Sequence, residues 1–311
     1  MWREGYVPGG GTRFFVRALG SPPWRDTDVA AERDDELCVL LHGWPEDSSA
    51  WRRVAPLLVD AGYRVACPDL KGFGRSDAPR RGYDAETLAD EISQLIRNLH
   101  ARKAVLVGHD WGGAVALATA FRHPGRVRAL VIASSPFRQI DLRAAWHIPL
   151  INVPVLPELT FNAAAGPILR TAIRHAAVVE EPFTDEVIDG YVRSVSTRHA
   201  AWMAYYRTLS RQVLVSWAAR RVRRRLPMLS EGHGPNRLRI PATVVWGEQD
   251  PVTPIHLAPR VAHDLDATLV TLPGVGHFVH EEDPLGFARA VIDLAGPGAG
   301  FASMGAGGRG R

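Results

Sequence analysis

The feature that most constrains the fold is a regular alternation of short apolar runs and helical patterns. Apolar runs rich in β-branched residues predict buried strands, and the spacing between them predicts amphipathic helices. Such alternation favours an α/β fold, with a mostly parallel central sheet flanked by helices. The predicted strands are residues 12–18, 36–41, 63–70, 103–107, 127–134, 242–250 and 267–274, and the predicted helices are residues 51–61, 85–99, 114–121 and 283–295.

The alternation stops in the second half of the chain. Between residues 137 and 237 there are prolines, aromatic residues and helical runs, but no apolar β-run. We therefore expect a core domain of residues 1–136 and 238–296 and an inserted helical cap of residues 137–237. The cap would cover the carboxyl edge of the sheet, where open α/β sheets bind ligands. The Gly/Ala-rich residues 297–311 predict a disordered tail.

Composition and charge narrow the class of protein. The chain of 311 residues is 46% hydrophobic and 23% charged, as expected of a globular protein with a sizeable core. Cys38 and Cys67 lie in predicted strands, and two buried free thiols predict a cytoplasmic location. The net charge of +4 comes largely from RRVRRR (residues 220–225) and the C-terminal GGRGR. Without interleaved aromatic residues, these arginines predict no nucleic-acid site, and no segment predicts a signal peptide or membrane span.

A tight turn with an acidic residue at its centre joins the strand KAVLV to the next helix. The turn reads GHDWGG (residues 108–113), so glycines surround Asp110 where the backbone must bend sharply. The Asp110 side chain would enter the cleft at a helix N-terminus, where the helix dipole stabilises an anion. Asp is also a preferred N-cap residue, so Asp110 alone could be purely structural.

Two further polar residues follow apolar runs in the second part of the core. Asp250 lies after ATVVW in WGEQDPVTP, and His277 lies after ATLVTL in GVGHFVHEEDP. Each by itself could be a turn or loop residue. Together with Asp110 they form a set in which every member lies at the end of a predicted strand. We therefore expect a triad in which Asp110 is the nucleophile, Asp250 the acid and His277 the base.

A carboxylate nucleophile predicts displacement at a saturated carbon. Serine would form an ether there, whereas a carboxylate forms an alkyl ester that water can hydrolyse at the enzyme's own carbonyl carbon. The second step passes through an oxyanion, which requires an oxyanion hole. We expect its donors to be the backbone N–H groups of Trp111, next to the nucleophile, and of Trp44 in HGWP. His277 would then act as general base on the attacking water.

Several segments together resemble one branch of a known superfamily, namely HGWPEDSSAW, DLKGFGRSD, GHDWGG, WGEQDPVTP and GVGHFVHEEDP. They resemble the epoxide hydrolases and haloalkane dehalogenases of the α/β-hydrolase superfamily, over most of the predicted core. The resemblance implies an α/β-hydrolase fold with a helical cap and the roles given above to Asp110, Asp250 and His277, which stand in the chain order of that fold. It also implies a cis peptide bond before Pro45.

Side chains of the predicted cap indicate which leaving group the enzyme acts on. Epoxide hydrolases protonate the opening epoxide oxygen with phenol groups, typically from two cap tyrosines. Tyr206 in WMAYYRTLSR matches the second of these, with Tyr205 as the alternative if the register shifts. Where the first tyrosine is expected, AAWHIPLINVPVLPE has His147 instead, which departs from the usual pattern and resembles a minority type. An imidazole can also donate a hydrogen bond to an epoxide oxygen.

Haloalkane dehalogenases are the main alternative, because they use the same triad. Trp111 follows the nucleophile in both classes, and Trp44 stands where dehalogenases often have a halide-binding asparagine. Trp146 or Trp202 in the cap could replace that donor. Fluoroacetate dehalogenases would require arginines where Trp111 and Ala114 stand. A non-catalytic binding protein of the same fold is a lesser alternative, because such proteins usually lose part of the triad.

The sequence therefore favours an epoxide hydrolase that converts an apolar epoxide and water into a vicinal diol. No metal-ligand spacing and no phosphate-binding glycine loop occur in the sequence, so we expect no metal and no cofactor. We expect a cytoplasmic monomer or homodimer without nucleic-acid or membrane partners. His42 and the loop GFGRSDAP are expected to stabilise structure. An apolar pocket is predicted from cap residues Leu150, Ile151, Val155, Leu159 and Phe161.

Overall fold

The computed structural model describes residues 1–20, 37–135, 137, 141, 143–196, 198–225 and 238–295. The strands in these ranges are β1 (Arg3–Gly9), β2 (Thr12–Leu19), β3 (Leu37–Leu41), β4 (Arg64–Pro68), β5 (Ala104–His109), β6 (Val127–Ala133), β7 (Ala242–Gly247) and β8 (Thr268–Leu272). They form one sheet in the order β1-β2-β4-β3-β5-β6-β7-β8. Strands β3 to β8 are parallel, whereas β2 runs antiparallel to both of its neighbours. The expected mostly parallel sheet is confirmed.

Helices cover both faces of this sheet. They are α1 (Val54–Asp60), α2 (Ala85–Asn98), α3 (Asp110–Arg122), α4 (His147–Ile151), α5 (Leu156–Ala176), α6 (Asp185–Ser196), α7 (His199–Arg225), α8 (Ala258–Leu265), α9 (Val279–Glu282) and α10 (Pro284–Ala295). Short 3-10 turns lie at Ser48–Arg52, Pro124–Arg126 and Ile255–Leu257. Helices α4 to α7 lie between β6 and β7, where the sequence predicts helices and no strand.

Alternate side chains of the central strands build two separate cores. On β3, Val39 and Leu41 pack with α2, α3 and α8, whereas Cys38 and Leu40 pack with α1 and α10. Because both faces are covered, every residue of β3 is buried, which explains its continuous apolar run. Cys38 and Cys67 are free and buried, as expected.

The main error in the predicted elements is at the N-terminus. Residues 12–18 were expected to form the first strand, but β1 precedes them and pairs antiparallel with β2. Strand β1 lies at the edge of the sheet, and only Val7 and Gly9 in it are buried. Its sequence therefore lacks the apolar pattern of a central strand. Helix α8 was not predicted either, and α3 begins at Asp110 rather than at residue 114.

Other expectations about organisation stay predictions. The proposed boundaries after residues 136, 237 and 296 fall at positions outside the described ranges, and so does the whole tail of residues 297–311. Across the part of the chain that is described, no helix is both long and apolar enough to cross a bilayer.

Candidate active site

The turn between β5 and α3 presents Asp110 to a pocket. Asp110 has a φ of +48°, a left-handed conformation that is uncommon for a residue with a side chain. The turn is possible because glycines surround it. A Cβ at Gly108 would lie 2.4 Å from the Gly112 carbonyl oxygen, and one at Gly113 would lie 2.5 Å from Ser135 Oγ. The tight packing therefore fixes the position of the carboxylate.

Both expected oxyanion donors contact the Asp110 carboxylate. The backbone N–H of Trp44 donates to Asp110 Oδ2 at 3.1 Å, and the backbone N–H of Trp111 also donates to this side chain. Trp44 lies in the loop after β3, and the Trp44–Pro45 peptide bond is cis, as the resemblance implied. His42 supports the same loop, because its Nε2 accepts from the Leu70 N–H at 2.9 Å.

The loops after β7 and β8 bring Asp250 and His277 together. His277 Nδ1 lies 2.9 Å from Asp250 Oδ2. The other carboxylate oxygen, Asp250 Oδ1, accepts from the backbone N–H groups of Val252 and Thr253, both at 2.8 Å. The Thr253 hydroxyl donates to Oδ2 at 2.5 Å. Hydrogen bonds to both carboxylate oxygens therefore keep Asp250 in place, and Asp250 in turn orients the His277 imidazole.

The charges of these groups are strongly coupled. Burial lowers the pKa of His277, but the negative charges of Asp250 and Asp110 outweigh it and raise that pKa to about 9. Burial tends to raise the pKa of Asp250, yet its ion pair with His277 leaves it below the ordinary value. Burial also raises the pKa of Asp110, against the charge of His277 and the N–H donors. The helix N-terminus alone therefore does not decide the ionisation of Asp110, contrary to the simple expectation.

Helices α4, α5 and α7 cover the carboxyl edge of the sheet and enclose a cavity of about 600 Å³. Asp110, Trp44, Trp111 and His277 lie among its lining residues. Most of the remaining lining is apolar. Leu150, Ile151 and Phe161 contribute to it as expected, together with Ile148, Leu156, Pro167, Ile168 and Ala172.

Two expectations about the pocket wall are wrong. Val155 and Leu159 are each 62% exposed and do not appear among the described residues that line the cavity. Both lie where α5 begins, and their side chains point to solvent while Leu156 and Phe161 reach the cavity. An apolar residue in a cap helix therefore does not by itself indicate contact with substrate.

Tyr206 and His147 both line the cavity. The Tyr206 ring lies 4.9 Å from the Trp111 ring and 5.9 Å from the His147 ring, measured between centroids. Tyr205 instead packs in the core against Phe73, at 5.7 Å, and is not among the described lining residues. Thus Tyr206 rather than its neighbour has access to a bound molecule.

The surroundings keep both cap groups neutral near pH 7. Burial, followed by the nearby negative charge of Asp110, raises the pKa of Tyr206 well above its ordinary value. Burial and the positive charge of His277 lower the pKa of His147 to about 4. Each side chain can therefore donate a hydrogen bond from an uncharged group.

Trp146 and Trp202 were the cap tryptophans named as alternative halide donors. Trp146 lines the cavity, whereas Trp202 is fully buried against Phe161 and Trp44.

Sequence spacing missed a buried cluster behind the triad. Glu46 Oε2 lies 3.0 Å from His109 Nδ1, and Glu46 Oε1 lies 3.0 Å from His280 Nε2. The three ligand atoms fall within 4.8 Å of one another, so the set could in principle hold a metal. However, Glu46 already accepts from the Gly43 N–H at 2.9 Å, and His109 Nε2 contacts the His277 carbonyl oxygen at 2.9 Å. These contacts fit a hydrogen-bonded support, which local spacing cannot reveal because its members come from separate segments.

Comparison with known proteins identifies the family. The model of the alpha/beta hydrolase family matches residues 38–290. The chain is 29% identical over 282 residues to the AB hydrolase superfamily protein YfhM of Bacillus subtilis. The alignment covers 85% of this chain and 92% of that protein. It is 29% identical over 273 residues to a soluble epoxide hydrolase of Corynebacterium sp., covering 83% and 87% of the two chains.

Solved structures agree with this result. The crystal structure of Cfl2 from Burkholderia cenocepacia superimposes with a TM-score of 0.75 at 29% identity, over 94% of this chain and 96% of that one. Epoxide hydrolase A from Mycobacterium thermoresistibile gives a TM-score of 0.73 at 25% identity, over 94% and 98% of the chains. The chain therefore belongs to the alpha/beta hydrolase family, in which it is an epoxide hydrolase-like hydrolase.

Proposed function

We propose that this protein is an epoxide hydrolase that forms a covalent alkyl ester on Asp110. The observation that carries the proposal is that Tyr206 and His147, both uncharged donors, share one apolar cavity with the Asp110 carboxylate. An epoxide needs such donors, because its oxygen becomes an alkoxide as the ring opens. Relatives that are named epoxide hydrolases support the same assignment.

In the first step, a carboxylate oxygen of Asp110 attacks one ring carbon, and the bond from that carbon to the epoxide oxygen breaks. The Trp44 N–H orients the carboxylate through its bond to Oδ2. The released oxygen takes a proton from Tyr206, while His147 donates a hydrogen bond to it. The raised pKa of Tyr206 ensures that the phenol carries the required proton. The product of this step is an alkyl ester of Asp110.

In the second step, water hydrolyses this ester. Alkylation removes the negative charge of Asp110, which is one of the causes that raise the pKa of His277. The pKa of His277 therefore falls, and more of the imidazole is in the neutral form that can accept a proton. Neutral His277 takes a proton from water as the water oxygen attacks Asp110 Cγ. The N–H groups of Trp44 and Trp111 stabilise the resulting oxyanion. As the oxyanion collapses, the bond from Asp110 Cγ to the substrate oxygen breaks, and protonated His277 gives its proton to that oxygen, which releases the vicinal diol. The second proton of the attacking water, now on the Asp110 carboxyl group, restores the Tyr206 phenol and leaves the Asp110 carboxylate.

Haloalkane dehalogenation is the second candidate, and one observation favours it. The indole N–H of Trp44, a lining residue, is buried without a hydrogen-bond partner among the described residues. With Trp111 it could bind a departing halide. The cavity also contains Tyr206 and His147, which halide displacement does not need, so epoxide opening accounts for more of the site.

The His277→Gln variant with epibromohydrin, which carries both leaving groups, distinguishes the two reactions. Without the base, the ester on Asp110 should accumulate and be detected by intact mass spectrometry. Ring opening adds the whole reagent, so we expect an adduct on Asp110 that retains bromine. An adduct that has lost bromine would assign the protein to the dehalogenases.

Two further variants serve as controls. Asp110→Asn should give no adduct, because it removes the nucleophile. His263→Gln alters an exposed histidine of α8 that does not line the cavity within the described ranges, and it should turn over without accumulating adduct. If neither the wild type nor His277→Gln reacts with epoxides or haloalkanes, the proposed nucleophile is wrong.

A further inference from the structure

Hydrogen bonds from three consecutive backbone N–H groups hold the loop that carries His277. The His277 N–H donates to the Ala176 carbonyl oxygen at 3.0 Å. The N–H groups on either side, from Gly276 and Phe278, donate to the Glu282 carboxylate at 2.9 and 3.1 Å. Three consecutive N–H groups around the proposed base thus have fixed partners, and two of them depend on one side chain.

The same carboxylate also holds the end of α5. Glu282 Oε2 accepts from the N–H groups of Val178 and Val179, both at 2.9 Å. Only Ala177 separates these residues from α5, and the C-terminal end of that helix lines the cavity through Ala172, His175 and Ala176. One side chain therefore joins the His277 loop to the wall of the pocket.

The junction is tightly packed as well as hydrogen-bonded. Glu282 is only 8% exposed, so its four N–H contacts replace water almost completely. A Cβ at Gly276 would lie 2.8 Å from the Ala176 carbonyl oxygen and 3.0 Å from Glu282 Oε1. Charge-assisted hydrogen bonds in such surroundings are strong, and removing the acceptor leaves buried donors unpaired. Small changes at Glu282 should therefore move the loop.

We propose that Glu282 is a positioning residue that keeps His277 in place for ester hydrolysis and couples it to the α5 wall of the pocket. This inference rests on the proposed two-step function. His277 acts as a base only in the second step, whereas the bonds of the alkylation step are formed and broken at Asp110 and Tyr206, with His147 as a second donor. Displacement of the His277 loop should thus slow hydrolysis and leave alkylation intact.

Glu282→Gln tests this role in the full-length protein. A glutamine oxygen can still accept from Val178, Val179 and Gly276, but its amide group then faces the Phe278 N–H, and two donors oppose each other. Stopped-flow tryptophan fluorescence with excess epoxide reports both steps, because Trp44 and Trp111 line the same cavity as Asp110. We expect the hydrolysis rate to fall by about tenfold to a hundredfold while the alkylation rate stays within about twofold, so that kcat and KM fall together.

Glu281→Gln is the matched control. Glu281 is the neighbouring buried carboxylate, but it bonds the Tyr191 hydroxyl at 2.5 Å rather than the His277 loop. We expect this variant to keep the wild-type ratio of the two rates, even where its melting temperature falls. Gly276→Ala forces the same junction apart with the carboxylate present, and should reproduce the effect of Glu282→Gln. It also provides the test if Glu282→Gln does not fold.

An equal fall in both rates, no change in either, or the same ratio change in Glu281→Gln would overturn the role of Glu282. Failure of the proposed function looks different, because the wild type itself would then give no fluorescence transient with epoxides. In that case hydrogen exchange still tests the junction. Amides of residues 276–278 should exchange faster in Glu282→Gln than in Glu281→Gln, and equal exchange would refute the contact model.

Discussion

At the residue scale, the site depends on placing neutral donors beside a buried carboxylate. Burial raises the pKa of Asp110, and the N–H groups of Trp44 and Trp111 and the charge of His277 oppose this effect. The same burial keeps Tyr206 protonated and His147 neutral. One apolar environment therefore shifts the pKa of the proposed nucleophile and of both proposed donors.

The first prediction at this scale concerns Tyr206→Phe. Removing the phenol leaves the developing alkoxide without its proton donor, and loss of one such donor costs roughly a hundredfold to a thousandfold in rate. We expect a fall of this size in the single-turnover alkylation rate with an epoxide. Tyr205→Phe makes the same chemical change one residue away, in the core, and should leave the rate nearly unchanged. Equal effects of the two variants would contradict the assignment of Tyr206.

A second prediction concerns the charge of His277. Its folded pKa of about 9 exceeds the ordinary 6.5, so its ion pairs stabilise the folded state fully below about pH 6.5 and lose this effect as the pH rises through 9. Asp110→Asn removes one of the causes that raise this pKa. We therefore expect the loss of stability to shift to lower pH in the variant.

The measurement is the free energy of unfolding in urea between about pH 6 and pH 10 for both proteins. Only the pH dependence matters, because the substitution also changes the desolvation of residue 110. Curves that run parallel across this range would show that Asp110 does not raise the pKa of His277.

At the scale of elements, helix α5 shapes the pocket through a bend. Pro167 lies inside the helix and has no N–H to donate, and Ala164 one turn earlier has non-helical angles of φ −146° and ψ 33°. Phe161 before the bend and Ile168 after it both line the cavity. The bend lets a single helix form two parts of the wall, and its last turn then reaches the His277 loop.

Helix α2 supplies the prediction at this scale. The Asp84 side chain caps it by accepting from the Thr87 N–H at 2.8 Å and from the Thr87 hydroxyl at 2.9 Å. Asp84→Ala should lower the free energy of unfolding by about 1 kcal/mol, because the first helical turn loses its acceptor. Asp84→Asn keeps a good cap and is the control. If chemical denaturation gives equal stability for both variants, the cap contributes nothing.

At the scale of the whole molecule, the sheet order explains why the site forms. Strands β3, β5, β7 and β8 are parallel, so the loops after them emerge at one edge and bring Trp44, Asp110, Asp250 and His277 together. Trp44, Asp110 and Asp250 follow the buried strands β3, β5 and β7, and His277 follows the edge strand β8, in which only Leu272 is buried. The apolar runs of the sequence predict all four strands. The family resemblance and the grouping of Asp110, Asp250 and His277 could therefore be predicted from local motifs, because each motif contains its own strand, turn and polar residue.

Local sequence patterns were sufficient to predict the α/β fold, the tight turn at residues 108–113 and the polar residues that follow the strands. Apolar periodicity and glycine placement act over short distances, so these features do not depend on how distant segments pack. Only the tertiary structure distinguished Tyr206 from Tyr205 and excluded Val155 and Leu159 from the described cavity wall, because the direction of a side chain depends on how each helix packs. It also revealed the Glu46 cluster and the four contacts of Glu282. These contacts join residues far apart in the chain, and they arise only when separate segments fold onto one another.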